Sequence, residues 1–229
     1  MAQKPSGTGE HEGAARPLWL QGREAVMAAT EREHWREGQQ PDYGLSATVM
    51  PRRRTTRHAA DSLEEITESL VQVFEMEISH KKDPATWVSV VTDRFRTRVN
   101  GGAWASAREL AERGSYNVLI GDSVFYRQDR ETFESSHATF LDTFTQGFFW
   151  EVLEVLSPPP VITFTWRHWG VFDGAYQGFA PSGELVEMFG SSVARVGTDL
   201  RLVEVEHFYD PHAFLSRLTG GCPVHRTAA

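Results

Sequence analysis

The chain has 229 residues, of which 40% are hydrophobic and 11% aromatic. This is enough to bury one substantial core, so a disordered or fibrous protein is excluded. The formal net charge of −8 has the wrong sign for a protein that gathers nucleic-acid phosphates, so we expect no nucleic-acid partner.

Cysteine usage and targeting signals bear on the compartment. The single cysteine, Cys222, cannot form an intrachain disulfide, which excludes a disulfide-framed secreted domain. Residues 1–12 contain no apolar run followed by a cleavage site, and no stretch approaches the roughly 20 apolar residues of a membrane span. We therefore expect a cytoplasmic protein without a membrane partner.

The first sixty residues are predicted to contribute little to the core. Residues 1–40 are predicted to be a tail with one short, loosely attached helix, because helix-forming composition is confined to residues 21–38. Residues 41–60 are predicted to be a polar linker. Its basic run, residues 51–57, could dock on nucleic acid or anionic lipid, but a short run in an acidic chain favours a solvated segment.

Helices are predicted in the next part of the chain. Ser62-x-x-Glu65 is a capping box followed by apolar residues at helical spacing, which predicts a helix to about residue 80. Asp83 followed by proline starts a second, short helix, and Ser106 caps a third. A short strand is expected over residues 95–99.

Five segments rich in aromatic and β-branched residues follow. Short turns separate them, and short turns between long segments indicate antiparallel hairpins. Helices followed by such a meander are typical of an α+β fold, with a last helix over 211–218 and a flexible tail over 219–229. The five predicted strands are residues 132–143, 148–156, 161–172, 184–196 and 200–210.

Several motifs carry a resemblance to known proteins. The stretch 174–187, GAYQGFAPSGELVE, together with residues 201–204 and 208–210, resembles the closing hairpin of SnoaL-like proteins, which belong to the nuclear-transport-factor-2-like superfamily. More closely, four motifs resemble the plant pathogen-related protein branch of that superfamily: Ser62-Leu63-Glu64-Glu65, Phe74-Glu75-Met76-Glu77, Glu134-Ser135-Ser136-His137 and Arg167-His168-Trp169-Gly170. The match covers residues 41–215.

The resemblance implies a fold and a range of functions. It implies one α+β barrel over residues 61–218, a cone-shaped and strongly curved antiparallel sheet whose helices enclose an apolar cavity. SnoaL-like enzymes include cyclases, isomerases and epoxide hydrolases that act on hydrophobic small molecules without a cofactor. Other members only bind a ligand, or dimerise through the open sheet face, so an assembly module that forms a homodimer in this way is a further hypothesis.

The chain departs from the cyclase pattern at two positions. The cavity histidine of polyketide cyclases falls at Phe172, and their acid/base aspartate falls at Ser192. Neither side chain can exchange a proton near neutral pH, so any acid/base chemistry must come from other residues.

His168 is the first candidate for that chemistry. In the predicted strand 161–172 it lies on the apolar face, where an imidazole can act as a general acid or base. The alternative is a core histidine bonded to a carbonyl or a carboxylate. Glu206 is the expected partner by alignment with the SnoaL hairpin, although His207 could be the inward residue instead. Glu187 and Glu204 are weaker candidates.

The remaining candidates are substrate-binding residues. His137 and Glu134 are three apart on a predicted strand and so face opposite sides, which means that only one of them can enter the pocket. His137 is the candidate for a second inward imidazole, and the alternative is that it is structural. Ser192 could donate a hydrogen bond to a ligand carbonyl or simply leave room in the barrel. The cavity wall is predicted to include Trp150, Trp166, Phe172 and Met188.

The sequence contains no motif for a metal or a nucleotide. No His-x-His, His-Glu-x-x-His or Cys-x-x-Cys spacing occurs, and no glycine-rich phosphate loop, so neither a metal nor a cofactor is expected. The leading hypothesis is a cofactor-independent cyclase or isomerase of a polyketide-like or terpenoid metabolite, with His168 and Glu206 as the catalytic pair. The alternative is a small-molecule binding protein of the stress or pathogen-related type.

Overall fold

The computed structural model describes residues 16–220. The predicted tail over 1–15, most of the predicted C-terminal tail and Cys222 lie outside the described residues. The α-helices are α1 (Arg23–Ala28), α2 (Gly44–Arg53), α3 (Leu63–His80), α4 (Ala107–Arg113), α5 (Ser115–Ile120), α6 (Phe133–Thr143) and α7 (Pro211–Leu218). The strands are β1 (Arg96–Val99), β2 (Ala105–Ser106), β3 (Phe148–Ser157), β4 (Val161–Val171), β5 (Leu185–Val196) and β6 (Leu202–Tyr209).

The strands form one mixed sheet in the order β2-β1-β6-β5-β4-β3. Strands β3 to β6 are the predicted antiparallel meander, and β1 joins β6 in parallel. The predicted α+β class is confirmed. The barrel is corrected to an open sheet, because the strand order ends at β2 on one side and at β3 on the other.

Residues 132–143 were expected to be the first meander strand, and that prediction is wrong. They form helix α6, because the side chains of Thr132 and Ser135 each accept the other residue's backbone N–H in a reciprocal cap. The buried residues Phe133, Ser136 and Phe140 then recur at helical spacing. The aromatic and β-branched composition indicated a strand, but the cap and the burial periodicity are those of a helix.

The segment 21–38 is anchored in the core, in contrast to the loosely attached helix that was expected. Val26 and Trp35 are 0% and 1% exposed, and they pack with Val73 and Met76 of α3. The Arg36 backbone N–H also donates to the carbonyl of His80 at 2.8 Å. The connection that follows α1 is therefore held against the C-terminal end of α3.

The segment 41–60, expected to be a polar linker, contains helix α2 and a network of buried charge. Arg54 donates to both carboxylate oxygens of Glu68 at 2.9 Å. Glu151 of β3, which is 0% exposed, accepts from the backbone and hydroxyl groups of Thr55 and Thr56 and from Arg167. Part of the basic run thus pairs with carboxylates of the fold.

The two faces of the sheet have different surroundings. The inner face, which carries Phe164 and Trp166 of β4, packs with α3 and α4 in the main apolar cluster. The outer face carries the buried pair Glu151 and Arg167 beside the 54–56 segment, and two exposed aromatic residues, Phe189 and Phe208. Across the part of the chain that the structure describes, we find no helix with the length and apolar character needed to cross a membrane.

Candidate functional site

The first predicted catalytic residue, His168, lies on the inner face of β4. Its ring stacks on Phe148 with the centroids 3.6 Å apart, and it is paired in register with Trp150 and Met188. Burial lowers the pKa of His168 to about 3. The ring is therefore neutral at physiological pH, and it is a weak base there because its conjugate acid is so acidic.

The second predicted catalytic residue, Glu206, does not meet His168, and this pairing is corrected. In the register of β5 and β6, Glu206 is opposite Val193, whereas His207 is opposite Ser192 of the inner face. The Glu206 carboxylate pairs with Arg98 at 2.7 Å and accepts the backbone N–H of Gly101. The residue that points inward is His207, the alternative that the strand alternation left open.

Ser192 connects two buried rings on the inner face. The Trp166 Nε1–H donates to Ser192 Oγ at 2.8 Å, and Ser192 Oγ is 2.8 Å from His207 Nδ1. Because indole nitrogen only donates, the serine proton is free to go to Nδ1, which makes Nδ1 the acceptor and leaves the His207 proton on Nε2. Within residues 16–220 this Nε2 is buried without a hydrogen-bond partner, and burial lowers the pKa of His207 to about 4.

The other predicted wall residues are divided between packed core and open space. Phe172 and Trp166 are 2% and 4% exposed and belong to the two main apolar clusters, and Met188 packs against both. Trp150 lines a cleft of about 770 Å³. This cleft lies between the connection from α1 to α2, helix α3, helix α6 and the start of β3, beside the inner-face core.

Glu75 of α3 is one of the carboxylates in the wall of this cleft. Its side chain is partly exposed, and it forms no hydrogen bond within the described range 16–220, although the guanidinium of Arg23 is close enough to act on it. Burial raises the pKa of Glu75, and Arg23 opposes that shift. A carboxyl group with a raised pKa and no structural partner has the properties expected of a proton-transfer group.

Two histidines line the same cleft. Burial lowers the pKa of both His80 and His137 to about 4, and the positive charge of Arg36 acts in the same direction on each. His137 stacks on Phe133 with ring centroids 4.6 Å apart. Glu134 and His137 both line the cleft, so the prediction that they face opposite sides is wrong, because one helical turn places residues three apart on one face.

Tyrosine hydroxyls accompany the carboxyl group. Tyr43 lines the cleft, and Tyr116 packs edge-on against His137 with ring centroids 5.1 Å apart. Burial, and then the negative charge of Glu75, raise the pKa of both phenols. Both hydroxyls therefore keep their protons at physiological pH and are available as hydrogen-bond donors.

The sequence interpretation missed this cluster although it quoted one of its motifs, Phe74-Glu75-Met76-Glu77. A signal was present, since Gln72, Glu75 and Ser79 form a polar stripe at spacings of three and four on α3, and all three line the cleft. Such a stripe is also what a solvated helix face produces. Within residues 16–220, no group of three or more His, Cys, Asp or Glu side chains is placed to hold a metal ion.

A curated protein is similar over most of the chain. The "Pathogen-related protein" of Hordeum vulgare is 35% identical over 210 residues, which covers 85% of this chain and 89% of the barley protein. The chain belongs to the pathogen-related protein family. The resemblance to this branch is therefore confirmed, while no family model matches the sequence.

Solved structures with low sequence identity are also similar to this member of the family. A candidate SnoaL-like polyketide cyclase from Jannaschia sp. CCS1 is 15% identical, with a TM-score of 0.42, and the alignment covers 72% of this chain and 97% of that one. An NTF2-like protein from Burkholderia thailandensis is 13% identical, with a TM-score of 0.34, over 60% of this chain and 85% of its own. No statement about activity follows from similarity at this level.

Proposed function

We propose that the protein is a cofactor-independent cyclase or isomerase of a hydrophobic, oxygenated metabolite of polyketide-like or terpenoid type. The reaction would take place in the 770 Å³ cleft, with Glu75 in place of His168 and Glu206 as the group that moves the proton. The observation that carries the proposal is this carboxyl group, which has a raised pKa, faces open space and forms no hydrogen bond within residues 16–220. In carboxyl groups that act as general bases, burial raises the pKa toward neutral pH in this way.

The chemistry is a proton transfer that returns the carboxyl group to its starting state. Ionised Glu75 takes a proton from a carbon next to a substrate carbonyl, and the electron pair moves onto the carbonyl oxygen. The neutral hydroxyl of Tyr43 is a suitable donor to that oxygen. Glu75 then gives the proton to a different carbon in an isomerisation, or to the new alkoxide after ring closure, so no redox partner is needed.

The cleft also offers an apolar surface that can hold a flexible substrate in one shape. Phe133, Phe144, Phe148 and Trp150 line one side of it, together with Leu141, which is 66% exposed. Holding reacting atoms in a near-attack geometry can contribute about 7–11 kcal/mol to lowering a barrier. A small number of acid/base groups is therefore sufficient for a cyclase or isomerase in such a site.

The second candidate is a protein that binds a small molecule without changing it. The name of the barley relative, "Pathogen-related protein", favours this alternative because it refers to a response and not to a reaction. The two candidates share the cleft and the apolar wall. They differ in whether Glu75 exchanges a proton with the ligand.

Hydrogen exchange in D₂O separates the two candidates. The protein is incubated in D₂O with a solvent extract of the metabolites of its source organism, and each compound is followed by mass spectrometry. We expect wild type to incorporate deuterium into one compound, because Glu75 exchanges its proton with solvent between turnovers, and Glu75→Gln to slow this by about 10²–10⁴-fold. Glu37→Gln, an exposed carboxylate on the rim of the same cleft, is the control and should match wild type.

Two results would contradict this proposal, the first its enzyme function and the second the role of Glu75. A compound that co-purifies with wild type and leaves with no deuterium and no change of structure would establish the binding protein instead. If Glu75→Gln incorporates deuterium as fast as wild type, the protein is still an enzyme but Glu75 is not the group that transfers the proton.

A further inference from the structure

Arg36 in the wall of the cleft is a cation without a carboxylate partner. Its guanidinium lies over the Phe133 ring, 3.6 Å from the ring centroid, and Nη2 donates to the carbonyl of Ala111 at 2.5 Å. Nε is buried and has no hydrogen-bond partner within residues 16–220. At least one donor of a rigidly held guanidinium is therefore unused, beside a cleft that can admit a ligand.

Most buried or half-buried arginines in the described part of the chain are neutralised. Arg54, Arg98 and Arg167 each lie within 2.9 Å of a carboxylate oxygen. For Arg36, no carboxylate is within ion-pair distance in residues 16–220, and burial lowers its pKa while the charge of Glu134 opposes that shift. A desolvated cation without a partner is costly, and an incoming anion removes that cost.

The surroundings of Arg36 define what else the ligand must carry. Phe133 and Leu141 of α6 and Phe148 of β3 present apolar surface to the same cleft. A ligand that satisfies both features has an apolar body and one anionic group. A carboxylate suits a guanidinium, because two N–H groups on one planar edge can donate to its two oxygens in parallel.

We propose that the ligand of this cleft is a hydrophobic carboxylic acid whose carboxylate binds the guanidinium of Arg36. The inference rests on the proposed function for its site and names the substrate class. Arg23, on the α1 side of the cleft, is less suited to this role, because it lies 3.9 Å from the Tyr43 ring centroid, donates to Ser46 and is close to Glu75.

Binding of an acid has a consequence that can be measured at the two neighbouring histidines. The charge of Arg36 contributes to the low pKa of His80 and of His137. A carboxylate placed on Arg36 offsets that charge, so the pKa of both histidines should rise when an acid binds and should not rise when an alcohol of the same length binds. The other charged or titratable groups that face them are Glu134, Tyr43 and Tyr116, and His80 also acts on His137.

Calorimetry with octanoic acid and 1-octanol, two probes of equal chain length, tests the proposal at pH 7.5. We expect wild type to bind octanoate about tenfold or more tightly than octanol, because a charge-assisted hydrogen bond is made only by the acid. Arg36→Gln should bind both probes equally, and Arg36→Lys should keep part of the preference. Arg108→Gln, an exposed arginine on α4, is the matched control and should behave like wild type.

The outcomes separate this inference from the proposed function. A preference for octanoate that Arg36→Gln abolishes and Glu75→Gln retains supports the acid site, even if no deuterium exchange is ever seen. Equal binding of the two probes by wild type, or binding of neither, overturns it. If Arg36→Gln does not fold, the proposal is tested with Arg36→Lys and with an NMR titration of His80 and His137 in the presence of each probe. An equal change in the histidine pKa values with octanoate and with octanol also overturns the proposal.

Discussion

Two carboxylates of α3, separated by one residue, have opposite surroundings. Glu77 is 0% exposed and accepts from Lys81 Nζ at 2.8 Å, from the Val88 and Ser89 backbone N–H groups at 2.7 and 3.0 Å, and from Ser89 Oγ at 2.6 Å. Glu75 lines the cleft and accepts no hydrogen bond within residues 16–220. Burial alone therefore does not distinguish the two carboxylates; the proposed role of Glu75 rests on its unused hydrogen-bonding capacity beside open space.

The same distinction separates the buried histidines. His207 is tied by Ser192 into a chain of hydrogen bonds within the packed inner face. His80 and His137 border the cleft, and Nδ1 of His137 is buried without a hydrogen-bond partner in the part of the chain described. We therefore expect substitutions at Glu77 and Ser192 to change stability, and substitutions at Glu75 to change chemistry.

The largest expected effect on stability is that of Glu77→Ala. The substitution leaves Lys81, which is 1% exposed, as an unpaired buried cation and removes the acceptor of the 88–89 backbone. Breaking a buried ion pair from one side costs about 3–5 kcal/mol in the free energy of unfolding. Urea denaturation measures it, with Glu75→Ala as the comparison, and an equal loss in the two variants would abolish the distinction drawn here.

A smaller loss is expected from Ser192→Ala. It leaves Trp166 Nε1 and His207 Nδ1 buried without their shared partner, which costs about 1–3 kcal/mol for groups of this kind. The neighbouring Ser191 is paired with Phe208 on the outer face, so Ser191→Ala is the matched control and should change stability little. If both alanine variants unfold at the same urea concentration as wild type, the chain of hydrogen bonds contributes nothing to stability.

Much of the fold could be predicted because local signals and burial agree over most of the chain. Ser62 and Ser106 each cap a helix as their spacing indicated, and the four strands after residue 147 pair as the predicted antiparallel meander. Helix α6 could not be predicted from its composition, because Phe, Thr and His suit a strand as well as a helix. Its reciprocal cap at Thr132 and Ser135 uses serine where the usual motif has a glutamate or glutamine.

The candidate site was less predictable because it depends on contacts between distant segments. The strand pattern placed His168 on the inner face, but whether that face is open or filled depends on how α3, α6 and the residues before α2 pack against it. Glu206 was placed by alignment with a hairpin, and a shift of one residue in a strand reverses the face. Arg36 lies in a segment that was expected to be part of a tail, so no pattern connected it with His80 or Glu75.

The smallest effect on stability is the pH dependence that Glu75 imposes. Its pKa in the folded protein is raised above the ordinary value of 4.5, so the folded state holds a proton that the unfolded state has already released. The contribution of Glu75 to the free energy of unfolding is fully present below pH 4.5 and is lost as pH rises through the folded pKa. The free energy of unfolding falls by at most about 1.4 kcal/mol per pH unit from this group.

His80 and His137 act in the opposite direction, because their pKa values of about 4 lie below the ordinary 6.5, so stability rises as pH increases between those limits.

The contribution of Glu75 is therefore isolated as the difference between wild type and Glu75→Gln, measured by urea denaturation across pH 4 to 8. We expect the glutamine variant to gain on wild type as pH rises, while Glu37→Gln stays parallel to it. A difference that is constant with pH would mean that Glu75 ionises as easily in the folded protein as in the unfolded chain. The cleft would then hold no carboxyl group adjusted for proton transfer.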